Sequence, residues 1–482
     1  MYNECIKMGL LVGYVVVRGT KAGMASIKKL FEPTDMTVGT PWKSIALFSI
    51  PMLIGNIAQQ LYSTVDSIVV GHYVGDNALA SVGSASPILN MLLVLFVGIS
   101  SGVGIMVAQY FGAKEREELS NTIGTCITVT AIASVFLMLA APPIVRPILQ
   151  VLHTPDTIIN DCASYLIIMM YGIAGMAYYN ILSGILRGMG DSFSALIYLL
   201  IATVLNIGLD LLFVATFHMG VAGVALATAI AQGISSVLCM WKLMHMRETF
   251  DLGMKELRMT KRHVVQIVKL GLPSGLTQAI FSSAMIVVQS LTNSFGEMFI
   301  AANVITMRVD GFAMMPNFSF GTAMTTYSGQ NVGAKKMDRV LLGAKQGTLM
   351  AVSCSALITG IILLFGNHLM GVFTTTGALV DLSMHIMRIL AVGYIAMGVT
   401  QSLSGVMRGA GDTVTPMWIS LCTTILIRVP IAYGISFLTR TEELPFGRCE
   451  CVPISLLVSW IMGSVLTTIF YKRGKWKSKA IS

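Results

Sequence analysis

The chain reads as an all-α integral membrane protein: twelve transmembrane helices in two parallel-repeat six-helix bundles. Three observations carry that reading. Of 482 residues, 55% are apolar and only 11% charged, against about 25% charged in soluble proteins. Twelve apolar stretches follow one another along the chain, most of them near the ~20 residues that a spanning helix needs. The phrase GILRGMGDS at 184–192 returns 221 residues later as GVMRGAGDT.

Each stretch is expected to be one span. The first six fall near 45–71, 82–110, 122–149, 160–186, 193–217 and 220–244. The second six fall near 264–295, 299–328, 341–366, 380–407, 413–438 and 452–471. Lipid offers no partner to a free backbone amide, so each must be helical, and the absence of strand-like alternation excludes an outer-membrane barrel. The run at 8–17 has ten residues, too few to cross, and reads as an interfacial stub. The expected divisions are an N-terminal extension (1–39), a first lobe (40–244), a basic linker (245–262), a second lobe (263–471) and a basic tail (472–482).

The net charge of +9 is a topology signal. With the N-terminus cytoplasmic, 24 Lys and Arg fall on inside segments and three (Arg146, Arg440 and Arg448) outside. Inside loops of membrane proteins are enriched in basic residues. The termini are therefore expected in the cytoplasm of a multi-pass plasma or inner membrane protein, and no nucleic-acid partner is expected. The eight cysteines show neither metal-ligand nor disulfide spacing and read as packing residues. The 33 methionines read as bilayer and core filler.

The repeat extends beyond its opening phrase. QYFGAKE (109–115) faces QNVGAKK (330–336) at the same offset, and Pro51 answers Pro273. Six crossings return the chain to its starting side, so the halves face the same way, as parallel repeats about an axis along the membrane normal. The phrase recurs because each bundle needs the same tight turn to close.

What differs between the halves carries the function. Ionisable residues within a membrane are costly and mark functional sites. The first half has two such acids, Asp66 in QQLYSTVDSIVVG (59–71) and Asp210 in TVLNIGLDLL (203–212). The repeat aligns them with Val288 and Ile431. Gln59, Tyr62 and Asp66 share a helix face by their spacing, as do Asn206 and Asp210. With a hydroxyl from Thr228, these side chains would form an oxygen-rich nest. Such a nest suits a hard cation, extended here to Na⁺; equally, two close carboxylates can hold one proton between them. Thr228 has the alternative of bonding its own helix backbone. In the second half, Asp310 reads as a cation or substrate contact, or as half of an ion pair with Arg388 or Arg428. GISSG (98–102) lies inside a span and fits close helix packing better than a nucleophile elbow. No P-loop or HExxH occurs, so neither enzymatic chemistry nor ATP is expected, and no cofactor beyond a coupling ion.

On these motifs, together with DMTVGTPWK (35–43) and RVDGFAMMP (308–316), the chain resembles a multidrug and toxic compound extrusion (MATE) transporter of the prokaryotic type. The resemblance implies a two-lobed antiporter, a functional monomer in the lipid bilayer, that exports organic cations in exchange for Na⁺ or H⁺. It places Asp66, Asn206, Asp210 and Thr228 at a first-lobe cation site, and Gln59 and Tyr62 in the cavity lining. A branch of the family has a Glu eight residues after the proline of span seven; here that position is Phe281. A lipid-linked precursor flippase would instead need a cationic cavity, for which Arg308, Arg388 and Arg428 are the candidates. A channel or receptor would lack ion-coupled efflux.

Overall fold

A computed structural model describes residues 33–481 apart from positions 153, 254 and 375; the run at 8–17 lies outside the described residues. All regular structure among these residues is helical. Spans one to three are α1 (Pro41–Tyr73), α2 (Asp76–Ala113) and α3 (Arg116–Val151). Span four is the pair α4 (Ile159–Tyr171) and α5 (Ile173–Gly188). Span five is α6 (Ser192–Asp210) with a π turn (Leu211–Thr216), and span six is α7 (Gly220–Met244). The second half repeats the plan. It has α8 (Lys261–Asn293), α9 (Glu297–Gly333), α10 (Met337–Gly371) and the pair α11 (Gly377–Ala391) and α12 (Gly393–Gly409). Span eleven is α13 (Val414–Leu421), a π turn (Cys422–Ile427) and α14 (Arg428–Leu438), and span twelve is α15 (Cys451–Arg473). Among the described residues, ten segments are long and apolar enough to cross alone, and counting each bent pair as one span brings the total to twelve.

Spans four and ten, expected as continuous helices, are bent by 52° and 44°. Another span packs closely at each bend. A Cβ on Gly172 would collide with Ala229 of span six, and one on Gly393 with the Trp460 ring of span twelve. The two glycines lie 221 positions apart, so the bend belongs to the repeat.

Spans one and seven cross between the halves. Span one packs on span five, while its opening end, with Ile45 and Phe48, sits in a core formed by spans eight and nine. Span seven packs on span two in turn. There Gly98 and Gly102 meet Gly271 and Gly275 so closely that a Cβ on Gly102 would lie 2.6 Å from the Gly271 nitrogen. This is the small-residue packing expected of GISSG. The stretch 245–262 also packs: Met246 and Phe250 are buried, and Arg116 holds Asp251 at 2.8 Å.

The repeated phrase does two things. Gly190 (φ +87°) and Gly411 (φ +95°) take left-handed backbone, which costs other residues about 1–2 kcal/mol. The next residue then caps the following helix. Asp191 accepts from the Ser194 N–H (2.9 Å) and hydroxyl (2.6 Å), and Asp412 from the Thr415 N–H (3.2 Å) and hydroxyl (2.7 Å). Each turn closes its own bundle, as expected, and its glycine carbonyl is also taken by the opposite half. Gln109 Nε2 donates to the Gly409 carbonyl (2.8 Å), and Gln330 Nε2 to the Gly188 carbonyl (3.2 Å). The Oε1 of each amide accepts from a segment flanking the bundles, Gln109 from Ile481 N and Gln330 from Met36 N, both at 2.8 Å. One turn beyond the glutamines, a Cβ on Gly112 would strike the Gln330 carbonyl, and one on Gly333 the Gln109 carbonyl. The halves are clasped at this one end.

Candidate functional site

The structure brings the first-half acids together. Span one supplies Asp66 and Tyr62, span five Asn206 and Asp210, and span six Thr228. Asp210, Asn206 and Thr228 are buried at 1%, 1% and 7% exposure, and the Asp66 and Asp210 carboxyls are in hydrogen-bonding contact with each other. Asn206 is best satisfied when its nitrogen donates to Asp210 Oδ2 (2.8 Å) and its oxygen accepts from the Thr228 hydroxyl (3.2 Å). Tyr62 Oη lies 3.2 Å from that hydroxyl. The donors therefore point in sequence from Tyr62 through Thr228 and Asn206 to the carboxylate. Thr228 turns to these neighbours and not to its own helix backbone.

That chain of donors leaves a deficit. Asp66 Oδ1 and Asp210 Oδ1 are both buried with no hydrogen-bond partner. Two bare carboxylates side by side in a low-dielectric interior repel strongly, whereas one shared proton or one bound cation satisfies both. The donor set of carboxylate, amide and hydroxyl oxygens suits a hard cation. No group of three or more His, Cys, Asp or Glu that could hold a metal occurs among the described residues.

Sequence spacing missed part of this site. Tyr165 of span four is buried within electrostatic reach of both acids, but a tyrosine in an apolar run carries no mark. Gln59 shares a face with Asp66 by spacing, yet it is exposed. The π turn that begins directly after Asp210 is a device that recurs at functional sites.

The second half holds a different arrangement. Asp310 Oδ1 accepts from the Tyr394 hydroxyl at 2.9 Å. Arg428 is buried within electrostatic reach but makes no ion pair with Asp310, and its Nε has no partner. Arg308 and Arg388 are exposed, so Arg428 is the arginine that faces the acid. Both line a cavity of about 290 Å³ with Trp460, Phe281 and Phe318, and with Met285, Met307, Met314 and Met397. Four methionines expected as filler thus line a cavity. Val288, the counterpart of Asp66, also lines it. A central cavity of about 330 Å³ between the halves shares Gln278, Phe281 and Phe318 with it.

Twin bundles clasped at one end, with carboxylates buried inside and cavities between and within the halves, define a membrane transporter with a duplicated helical frame. The chain belongs to the MatE family. The family model matches twice, over residues 51–212 and 273–434, the register of the repeat. The chain is 29% identical over 449 residues to the probable multidrug resistance protein YoeA of Bacillus subtilis, covering 92% of this chain and 95% of that one. It is 24% identical over 444 residues to the probable multidrug resistance protein NorM of Thermotoga maritima, covering 91% and 94%. A crystal structure of MATE in the straight conformation aligns at TM-score 0.84 and 23% identity over 92% of this chain and 98% of that one. A MOP superfamily transporter from Pyrococcus furiosus, described as having a binding pocket of reverse polarity, aligns at 0.83 and 22% identity over the same shares.

Proposed function

We propose that the protein exports cationic amphipathic compounds in exchange for inward movement of Na⁺ or H⁺, and that Asp66 and Asp210 couple the two fluxes. One observation carries this reading: two carboxyls in contact, each with a buried oxygen that has no protein partner. The names of relatives such as YoeA and NorM support multidrug efflux as the transport class. The basic residues at the clasped end favour cytoplasmic termini.

In this mechanism Asp66 and Asp210 take up the coupling cation when the nest faces outward, while the Asn206 nitrogen, its amide held by Thr228 and Tyr62, hydrogen-bonds Asp210. Ligation of Na⁺ by the Asn206 oxygen as well requires that amide to turn over. Substrate occupies the second-half cavity, with its charge toward Asp310 and its apolar body on Phe281, Trp460 and the methionines, whose flexible thioethers adapt to varied shapes. The halves then rock about the central cavity. Each elementary charge crossing 100 mV yields about 2.3 kcal/mol. A one-for-one exchange of monovalent cations gains nothing from that term, so the stoichiometry decides whether voltage drives export.

The test is efflux of ethidium from loaded vesicles on a Na⁺ pulse or a pH step. Wild type is expected to respond to one of these gradients, which names the coupling ion, and Asp66→Asn and Asp210→Asn to respond to neither. Gradient-driven efflux that survives in both variants would sink the coupling assignment.

A further inference from the structure

The central cavity carries a charge that the export reading does not use. Arg187 and Arg408, the arginines of the repeated RGMGDS and RGAGDT phrases, both line it. They approach from opposite halves, each in the last turn of its helix, α5 and α12. The residues lining this cavity include no Asp or Glu. Among the described residues, neither guanidinium has a hydrogen bond or an ion pair, unlike Arg339, which spends its N–H groups on the Met36, Val38 and Gly39 carbonyls and on Asn331. Thr413, the last residue of the second phrase, lines the same cavity, is 2% exposed and has a hydroxyl with no partner.

Two half-buried guanidiniums that face a cavity without a counter-charge are costly. The helix C-terminal dipole offsets only a small part of that cost for each. An oxyanion would offset far more, because the guanidinium fork matches a phosphate through two parallel hydrogen bonds. We propose that Arg187, Arg408 and Thr413 form an oxyanion subsite in the central cavity that takes the phosphate group of an amphiphilic ligand. The apolar part of that ligand lies on Phe281 and Phe318, which open into the second-half cavity. The repeat supplies one arginine from each half, so the bound phosphate bridges the two moving bodies. This inference uses none of the first-half acids and stands apart from the coupling reading.

The test is equilibrium binding to the purified full-length protein of radiolabelled hexyl phosphate and of inorganic phosphate, in chloride at fixed ionic strength. Hexyl phosphate is expected to bind wild type saturably, and binding to R187Q/R408Q is expected to be at least about tenfold weaker, the loss of one or more charge-assisted hydrogen bonds. The charge-preserving pair R187K/R408K is expected to retain part of the binding, and R146Q all of it. Inorganic phosphate that binds as tightly as hexyl phosphate assigns the subsite to the free anion; binding by hexyl phosphate alone assigns it to a lipid-like head group. A wild type that binds neither, or a double glutamine variant that binds as wild type does, overturns the proposal. A folding defect in the variant leaves a second reading on wild type. Hexyl phosphate is expected to protect Arg187 and Arg408 from phenylglyoxal, scored by peptide mass, and modification that proceeds undiminished overturns the subsite as well.

Discussion

The two halves are most alike at their clasped end and least alike in the interior. At the clasp, each glutamine takes the other half's glycine carbonyl, and each phrase ends in a left-handed glycine and a capping aspartate. Inside, the first half sets two acids against each other with no basic residue beside them. The second replaces them with Val288 and Ile431, and places a single acid, Asp310, under a tyrosine and within reach of Arg428. Even the π turns differ in register, following Asp210 in one half and preceding Arg428 in the other. Duplication has kept the geometry that the halves must share to move against one another. It has diverged where an ion or substrate is chosen.

The comparison can be broken most decisively by acid removal. Asp66→Asn is expected to take gradient-driven efflux to background. Asp310→Asn is expected to leave the coupling ion unchanged and raise the apparent KM for cationic substrate. If both variants lose coupling alike, measured by the same vesicle efflux, the halves do not divide the work. Next in size is Val288→Asp, which puts an acid at the repeat-related position of the second half without a nest to receive it. It is expected to destabilise the protein by about 2.5–3.5 kcal/mol, as for an acid at a helix centre in the bilayer. Thermal unfolding in detergent gives the value, and an unchanged Tm would mean that the second half can also house a carboxylate there.

Smaller effects sharpen the symmetry of the clasp. Gln109→Ala and Gln330→Ala each delete two hydrogen bonds and leave buried backbone groups without partners, a loss of about 1–3 kcal/mol. The two losses are expected to agree; a severalfold difference in denaturant midpoint would show that one half governs closure. The smallest effect is Tyr394→Phe, which removes a single hydrogen bond to Asp310 and is expected to cost about 0.5–1.5 kcal/mol, read as a shift in Tm. A larger loss would make Tyr394 and Asp310 part of the bundle's structural framework and not only of a binding cavity.

Much of the frame was legible because apolar length and a fixed offset survive in one dimension. The spans, the paired phrases and the intramembrane acids are of this kind. So was the grouping of Asn206 with Asp210, one helical turn apart. The contact between Asp66 and Asp210 is set by how span one lies on span five, more than 140 positions away in sequence, and no spacing rule reaches that far. Gln59 shows the limit of the face argument. Seven residues on, the helix has returned to the same side but risen about 10 Å, enough to leave Gln59 exposed. Tyr165 and Tyr394 had no signal to give, since their roles rest on neighbours from other spans. Gly172 and Gly393 look in sequence like ordinary small residues; that another span presses on each beside a bend shows only in the packing.

The strap at the clasped end also imposes an order in time. Met36 is held by Gln330, 294 positions later, and Ile481 by Gln109, 372 positions earlier. At about 5–20 residues per second, the first of these segments waits roughly 15–60 s for its partner to be synthesised. The second cannot dock until residue 481 has been made. Every earlier stage of assembly therefore holds an unlatched bundle, and only a chain translated to residue 481 can fasten both sides.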